Sequence, residues 1–173
     1  MYSPRTTSVK ALMPAMKAAE ASFEYLERVA HFRSLLGRKQ TDVPQGVEDP
    51  LALKMIRSVL AVEDPELTPM AAVAGTIGDG IADFLFERGM TKVVVDNGGD
   101  VSLRLQGVQP VKVGIRPEIG TKAITAVLTL DSTFPSWGVA TSGLSGRSLT
   151  RGVASAATVV AHQAALADAA ATA

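Results

Sequence analysis

The chain has 173 residues, with 17 Lys plus Arg against 17 Asp plus Glu and so no net charge. That length predicts a single domain over residues 1–173, and the charge balance, without a basic run, argues against nucleic acid and a polybasic membrane surface as partners. No Cys and only two His exclude a disulfide framework, a thiol nucleophile and a His-built metal cluster, which leaves Asp, Ser, Thr, Gly and backbone groups to carry chemistry.

The hydrophobic fraction is 47% but the aromatic fraction is 5%, so the core must come from Ala, Val, Leu and Ile. The first ten residues lack the apolar run of a signal peptide. The most apolar stretches, 70–77 and 152–160, fall well short of the roughly 20 residues of a membrane span. A soluble, cytoplasmic protein is the expectation.

In chain order, residues 8–36 carry apolar groups at helical spacing, with Pro14 expected to kink the run or end a short first helix. Residues 37–50, with Gly37, Pro44, Gly46 and Pro50, read as a mobile loop or tether, and 51–62 as a second helix. Thr68 is the expected cap of a long helix over 70–88, with Pro69 at its first position and Gly89 closing it. Strands are expected at 91–96, 101–105, 110–115, 123–130, 137–140 and 157–160, rich in Val, Ile and Thr. The final helix, 161–173, still reads as helix at Ala173, which leaves room for chain beyond it. Strands in the middle and helices on either side make an α+β layout, not a βαβ repeat.

Four short segments stand out. The 70–88 helix holds Gly75, Gly78 and Gly80, each costing on the order of 1 kcal/mol against Ala. Something must come close: either a packing element, or a ligand with Asp79 as its polar partner. VDNGGD at 95–100 is a hairpin turn by its Asn-Gly signal. Alternatively, Gly98, Gly99 and Asp100 turn free N–H groups toward a phosphate or ring carbonyl. ATSGLSGRS at 140–148 is a flexible loop, or else a cradle for phosphate oxygens with Arg147 neutralising charge. Asp168 and Thr172, at i and i+4 on one helix face, are hard oxygen groups of the kind Mg²⁺ takes, although a helical Thr more often bonds back to the i−4 carbonyl. His162 and His31 read as surface or boundary residues, and no GxSxG elbow is present.

Taken in order, MAAVAGTIGDGIADFLFERG (70–89), VVVDNGGDV (93–101), VATSG (139–143) and ALADAAATA (165–173) resemble the ApbE superfamily, most closely a short branch of it. Its members are flavin transferases that take FMN from FAD and attach it to a Thr or Ser of a target protein. The resemblance covers 68–173, the motif-bearing core; 1–62 is a helical part without a motif match. It implies an α+β fold of two T-fold-like halves, with helices packed on antiparallel sheets. It implies a nucleotide site at Gly75, Asp79, Gly98, Gly99, Asp100, Thr141, Ser142, Gly143 and Arg147, and Mg²⁺ on Asp168 and Thr172. FAD, Mg²⁺ and an acceptor protein would then be the partners, with self-association left open. The chain departs from the pattern at Ala74, in place of a Lys, at Arg147, in place of a His, and at Ser155, in place of an Asp; the missing Lys and His favour a flavin- or nucleotide-binding module without transfer. A purely structural or interaction protein is the third reading.

Overall fold

The computed structural model describes residues 9–43, 46–107, 110–116, 123–144, 146 and 150–173, and over these the chain is α+β with antiparallel sheets, as the sequence predicts. The first helix, α1 (Val9–His31), runs through Pro14 without ending. Pro14 sits in the second turn, where its missing N–H removes one hydrogen bond close to a helix start. A single turn, α2 (Arg33–Leu36), follows. The described part of the expected tether is fastened: Gln40 N–H bonds to Leu67 O at 3.0 Å, and Val43 and Val47 pack on the main core.

Helix α3 (Pro50–Leu60) starts where Pro at N1 and a side-chain cap coincide. Asp49 accepts the N–H groups of Leu51 (2.9 Å) and Ala52 (3.0 Å) and also takes Arg28 of α1 at 2.8 Å. Burial works to raise the Asp49 pKa, but the Ala52 N–H and Arg28 outweigh it and hold the carboxylate below its ordinary value. Its stabilisation is therefore present above the unfolded pKa and lost as pH falls through the folded one. Asp49→Ala is expected to cost about 1–2 kcal/mol in urea unfolding, through loss of cap and bridge together.

Thr68 makes no capping hydrogen bond; Pro69–Ala72 is a 3₁₀ turn, and α4 (Val73–Phe86) begins after it. Gly89, at φ +87°, closes the helix end as the sequence predicts. Then come β1 (Lys92–Asn97), β2 (Asp100–Leu105), β3 (Val111–Ile115), β4 (Ala126–Leu130), β5 (Ser136–Ser142), β6 (Ala157–Ala161) and α5 (Ala164–Thr172). The last helix starts three residues later than expected, because β6 pairs with β5 as far as Ala161 opposite Gly138.

Strands β1-β2-β5-β6 form one antiparallel sheet, and β3-β4 a separate hairpin. Helices α4 and α5 cover one face of the sheet, with α1 packed on α4 and α3 on α5. Alanine makes this layering thin. Ala164, Ala165, Ala167, Ala169 and Ala171 are all buried, so α5 lies sunk between the sheet and the outer helices. On the other face Leu103 and Val139 meet Leu130 of the β3-β4 hairpin. No helix among the described residues is long and apolar enough to cross a membrane.

Candidate functional site

The β1–β2 connection is a two-residue hairpin. Asn97 pairs with Asp100, and Gly98 and Gly99 sit at φ +73° and +112°, which a left-handed turn requires of both central residues. Gly99 N–H is held by the Asp96 carboxylate at 2.9 Å. Strand alternation then sends neighbouring residues to opposite faces. Val94, Asp96 and Val101 face away from the helices, while Asn97 and Asp100 face toward them. On the first side, the turn closes one end of a cleft of about 500 Å³ between β3 and the outer face of β1, β2 and β5. Val94, Val101, Val113, Ile115 and Val139 give it apolar walls; Thr141 and the cations Lys112 and Arg116 also line it. Apolar walls with cations among the lining residues suit a flat ring system that carries phosphates.

On the helix side lies an acidic pair. Asp168 of α5 accepts Gly75 N–H at 2.9 Å, at the first turn of α4, which has no side-chain cap of its own. Asn97 Nδ2 donates to Ala74 O at 3.1 Å and ties the hairpin to the same turn. Burial, with the Asp100 charge added, pushes the Asp168 carboxyl up to about 7, although the N–H groups of Gly75 and Ala74 work against it. Burial and the Asp96 charge push Asp100 up to about 6. Each group thus binds a proton in the fold that it would have lost in the unfolded chain. This contribution lowers stability progressively as pH rises from the ordinary carboxylate range through about 7. A divalent cation between the two would offset that penalty. The Thr172 hydroxyl, which donates to Asp168 O at 3.0 Å, keeps lone pairs one turn away. No cluster of three His, Asp or Glu that could hold a metal forms among the described residues, so a hard cation on Asp168 and Asp100 would need water and substrate oxygens to complete its shell.

The remaining predicted residues divide. Asp79, expected to face a ligand, is fully buried. Its carboxylate takes Arg104 Nη2 and Ala165 N–H, both at 3.1 Å. The close approach that the glycines of α4 signal comes from the chain itself. A Cβ would lie 2.2 Å from Ala164 O at Gly75, 2.7 Å from Ser102 Oγ at Gly78 and 2.9 Å from the Tyr25 ring at Gly80. In the Thr-Ser-Gly segment, Thr141 shares a 2.8 Å hydrogen bond with Thr158, and Ser142 Oγ is buried without a hydrogen-bond partner among the described residues. Gly143 lets the chain at Ser155 cross, since a Cβ there would lie 2.1 Å from its carbonyl oxygen. Arg147 lies outside the described residues. His162 is exposed and stacks near Phe134, at 4.5 Å between ring centres.

The sequence reading passed over Lys112 and Arg116. The alternation in VKVGIR, which sets both cations on the exposed side of the strand opposite Val113 and Ile115, carries that signal. It also passed over Asn97, whose side chain reads as turn chemistry alone.

Relatives lie among archaeal proteins named UPF0280. The chain is 39% identical to one from Archaeoglobus fulgidus, over 61% of this chain and 42% of that protein. It is 33% identical to one from Methanococcoides burtonii, over 86% and 60%, and 40% identical to one from Methanosarcina barkeri, over 68% and 46%. The chain spans about half the length of the curated relatives it matches. A family model described as AbpE bacteria matches residues 5–173.

Proposed function

The chain belongs to the AbpE bacteria family, and from that premise we propose that it is an ApbE-like, Mg²⁺-dependent FAD-binding protein of the cytoplasm that transfers FMN to a Ser or Thr of an acceptor protein. One observation carries the reading: the Gly98–Asp100 turn ends an apolar cleft with cations on its lining on one face of the sheet, and on the other face carries one of a pair of carboxylates that resist ionisation. The four-stranded sheet, with α4 and α5 across one face, supports a T-fold-like half of the kind the resemblance implies.

Val94, Val101, Val139 and Ile115 would hold a flavin or adenine ring, and Lys112 and Arg116 would meet its phosphates. Asp168, Asp100 and Thr172 would hold Mg²⁺, which neutralises charge as the phosphoanhydride opens. In the transfer, the acceptor hydroxyl oxygen bonds to the FMN phosphorus, the phosphoanhydride breaks, AMP leaves and the hydroxyl proton passes to solvent. The N–H groups of Ala74 and Gly75 keep the Asp168 carboxylate aimed while this happens.

Ala74 favours a second reading, binding without transfer. Its side chain is a methyl where transferases carry Lys, and its carbonyl is engaged by Asn97.

Incubation of the purified chain with FAD and Mg²⁺, with and without a Thr-bearing acceptor, separates the readings. AMP release with acceptor flavinylation supports transfer; FAD binding without AMP supports the second reading; no FAD binding removes both. For the metal, Mg²⁺ is expected to raise the thermal midpoint more at pH 8 than at pH 6, because protons compete for the same carboxylates below about 7. Asp168→Asn should abolish that shift and flatten the fall in apo-protein stability toward neutral pH. An unchanged Mg²⁺ response in the variant would remove Asp168 from the site.

A further inference from the structure

The carbonyl of Ala74 and the N–H of Gly75 belong to one peptide unit, and that unit is held from both sides. Asn97 Nδ2 donates to its oxygen at 3.1 Å, and its N–H donates to Asp168 Oδ2 at 2.9 Å. A peptide oxygen can only accept, so the Asn97 amide presents its NH₂ group here. A helical carbonyl gives one lone pair to the ladder and keeps a second, which is the one Asn97 takes. Two hydrogen bonds in series thus run from β1 to α5 through the first turn of α4. In such a series each bond polarises the next. A donor at the Ala74 oxygen makes the Gly75 N–H a stronger donor in its turn. With Asp168 ionised, the far end is charge-assisted, where the strength and direction of the donor count most.

Asn97 also pairs with Asp100 across the Gly98–Gly99 turn, and both side chains face the helices. One amide therefore stands beside the first carboxylate of the acidic pair and reaches the second through a single peptide. The turn itself does not call for this side chain, since Gly98 and Gly99 supply both positive φ angles and Asp96 holds the Gly99 N–H. We propose that Asn97 is the positioning residue of the acidic pair: through the Ala74–Gly75 peptide it fixes the N–H that orients Asp168, so that Asp168 and Asp100 are presented together to a divalent cation. A group that orients a ligand in this way governs metal affinity without touching the metal. The cation's part rests on the proposed Mg²⁺ site; the relay stands without it.

Amide NMR of the isotope-labelled chain, first with no cation added, tests the relay by itself. Asn97→Leu keeps the size of the side chain and removes the donor; Asn97→Ala is the second variant, in case the larger apolar group disturbs the turn. In both, the Gly75 amide proton should move upfield and exchange with solvent several-fold faster. The Ala165 amide, held by Asp79 at 3.1 Å between the same two helices, is the control and should stay in place. Titration with Mg²⁺ alone should then show a dissociation constant raised by about tenfold in either variant. An unmoved Gly75 amide overturns the proposal. So does loosening of Gly75 and Ala165 together, which would make Asn97 a packing residue only. A displaced Gly75 amide with unchanged Mg²⁺ affinity overturns its positioning role at the cation. If the parent chain binds no Mg²⁺ while the Gly75 amide still responds to Asn97, the cation reading fails and the relay holds.

Discussion

Asp79→Ala is expected to destabilise the fold by about 3 kcal/mol or more, the cost of removing one partner from a buried ion pair. Asp79 is fully buried, and its two oxygens join four elements: α4 through its own backbone, β2 through Arg104, α5 through Ala165 N–H, and α3 through Lys54 Nζ at 3.9 Å. Burial works against the Arg104 charge, but hydrogen bonds and charges from Asp83 and Asp79 outweigh it and keep the guanidinium charged. Without Asp79, Arg104 keeps Asp83 at 2.6 Å and Leu103 O at 2.9 Å, which places the loss at the lower end of the range for buried pairs. The Asp83 side chain is 42% exposed, so Asp83→Ala should cost no more than about 1 kcal/mol. Adding Arg104→Met to Asp79→Ala should recover only part of the stability, because it removes the buried cation but also breaks the Arg104–Asp83 pair, leaving Asp83 with Lys54 at 3.5 Å. Urea unfolding of the three variants beside the parent chain measures this. The result also decides what Asp79 does. A ligand-facing carboxylate would give a variant with native stability and lost FAD affinity; an architectural one gives the reverse.

What the sequence made legible was local. Gly98 and Gly99 announced their turn because both the requirement for positive φ and its remedy lie in adjacent residues. Six strands and the long helices followed from periodicity, with ends misplaced by a few residues. The start of α4 went astray for a physical reason: its N–H groups are capped not by Thr68 but by Asp168, 93 residues along the chain from Gly75. Likewise, the cost of three glycines showed that something approached α4. Only the fold shows that the backbone of Ala164, the Ser102 side chain and the Tyr25 ring supply that approach. Arg104 read as an ordinary strand residue because its two acidic partners lie on another element. The acidic pair was half visible. Asp168 and Asp100 were each singled out, but their electrostatic coupling depends on α5 lying beside the β1–β2 turn, a packing relation that spacing does not encode.

Gly75→Ala carries the other large expected effect, a loss of about 3 kcal/mol or more despite a helix-propensity gain near 1 kcal/mol. The added Cβ would lie 2.2 Å from Ala164 O and 2.4 Å from its carbonyl carbon, which are backbone atoms at the start of α5 and cannot rotate aside. Relief requires the two helices to separate, and their separation breaks two contacts to carboxylates: Gly75 N–H to Asp168 and Ala165 N–H to Asp79. Hydrogen bonds to charged groups contribute about 1.5–3 kcal/mol each, so their weakening adds to the overpacking cost. Gly80→Ala, in the same helix, is the control. There the Cβ would meet side-chain atoms alone, the Tyr25 ring at 2.9 Å and Leu51 Cδ2 at 3.6 Å, which can shift where backbone cannot, so the change should cost clearly less than Gly75→Ala. Because Asp168 would move with α5, Gly75→Ala should also diminish the Mg²⁺-induced rise in thermal midpoint, while Gly80→Ala should leave it intact. Equal stabilities for the two variants would mean that Gly75 is not the point at which α4 and α5 are held together.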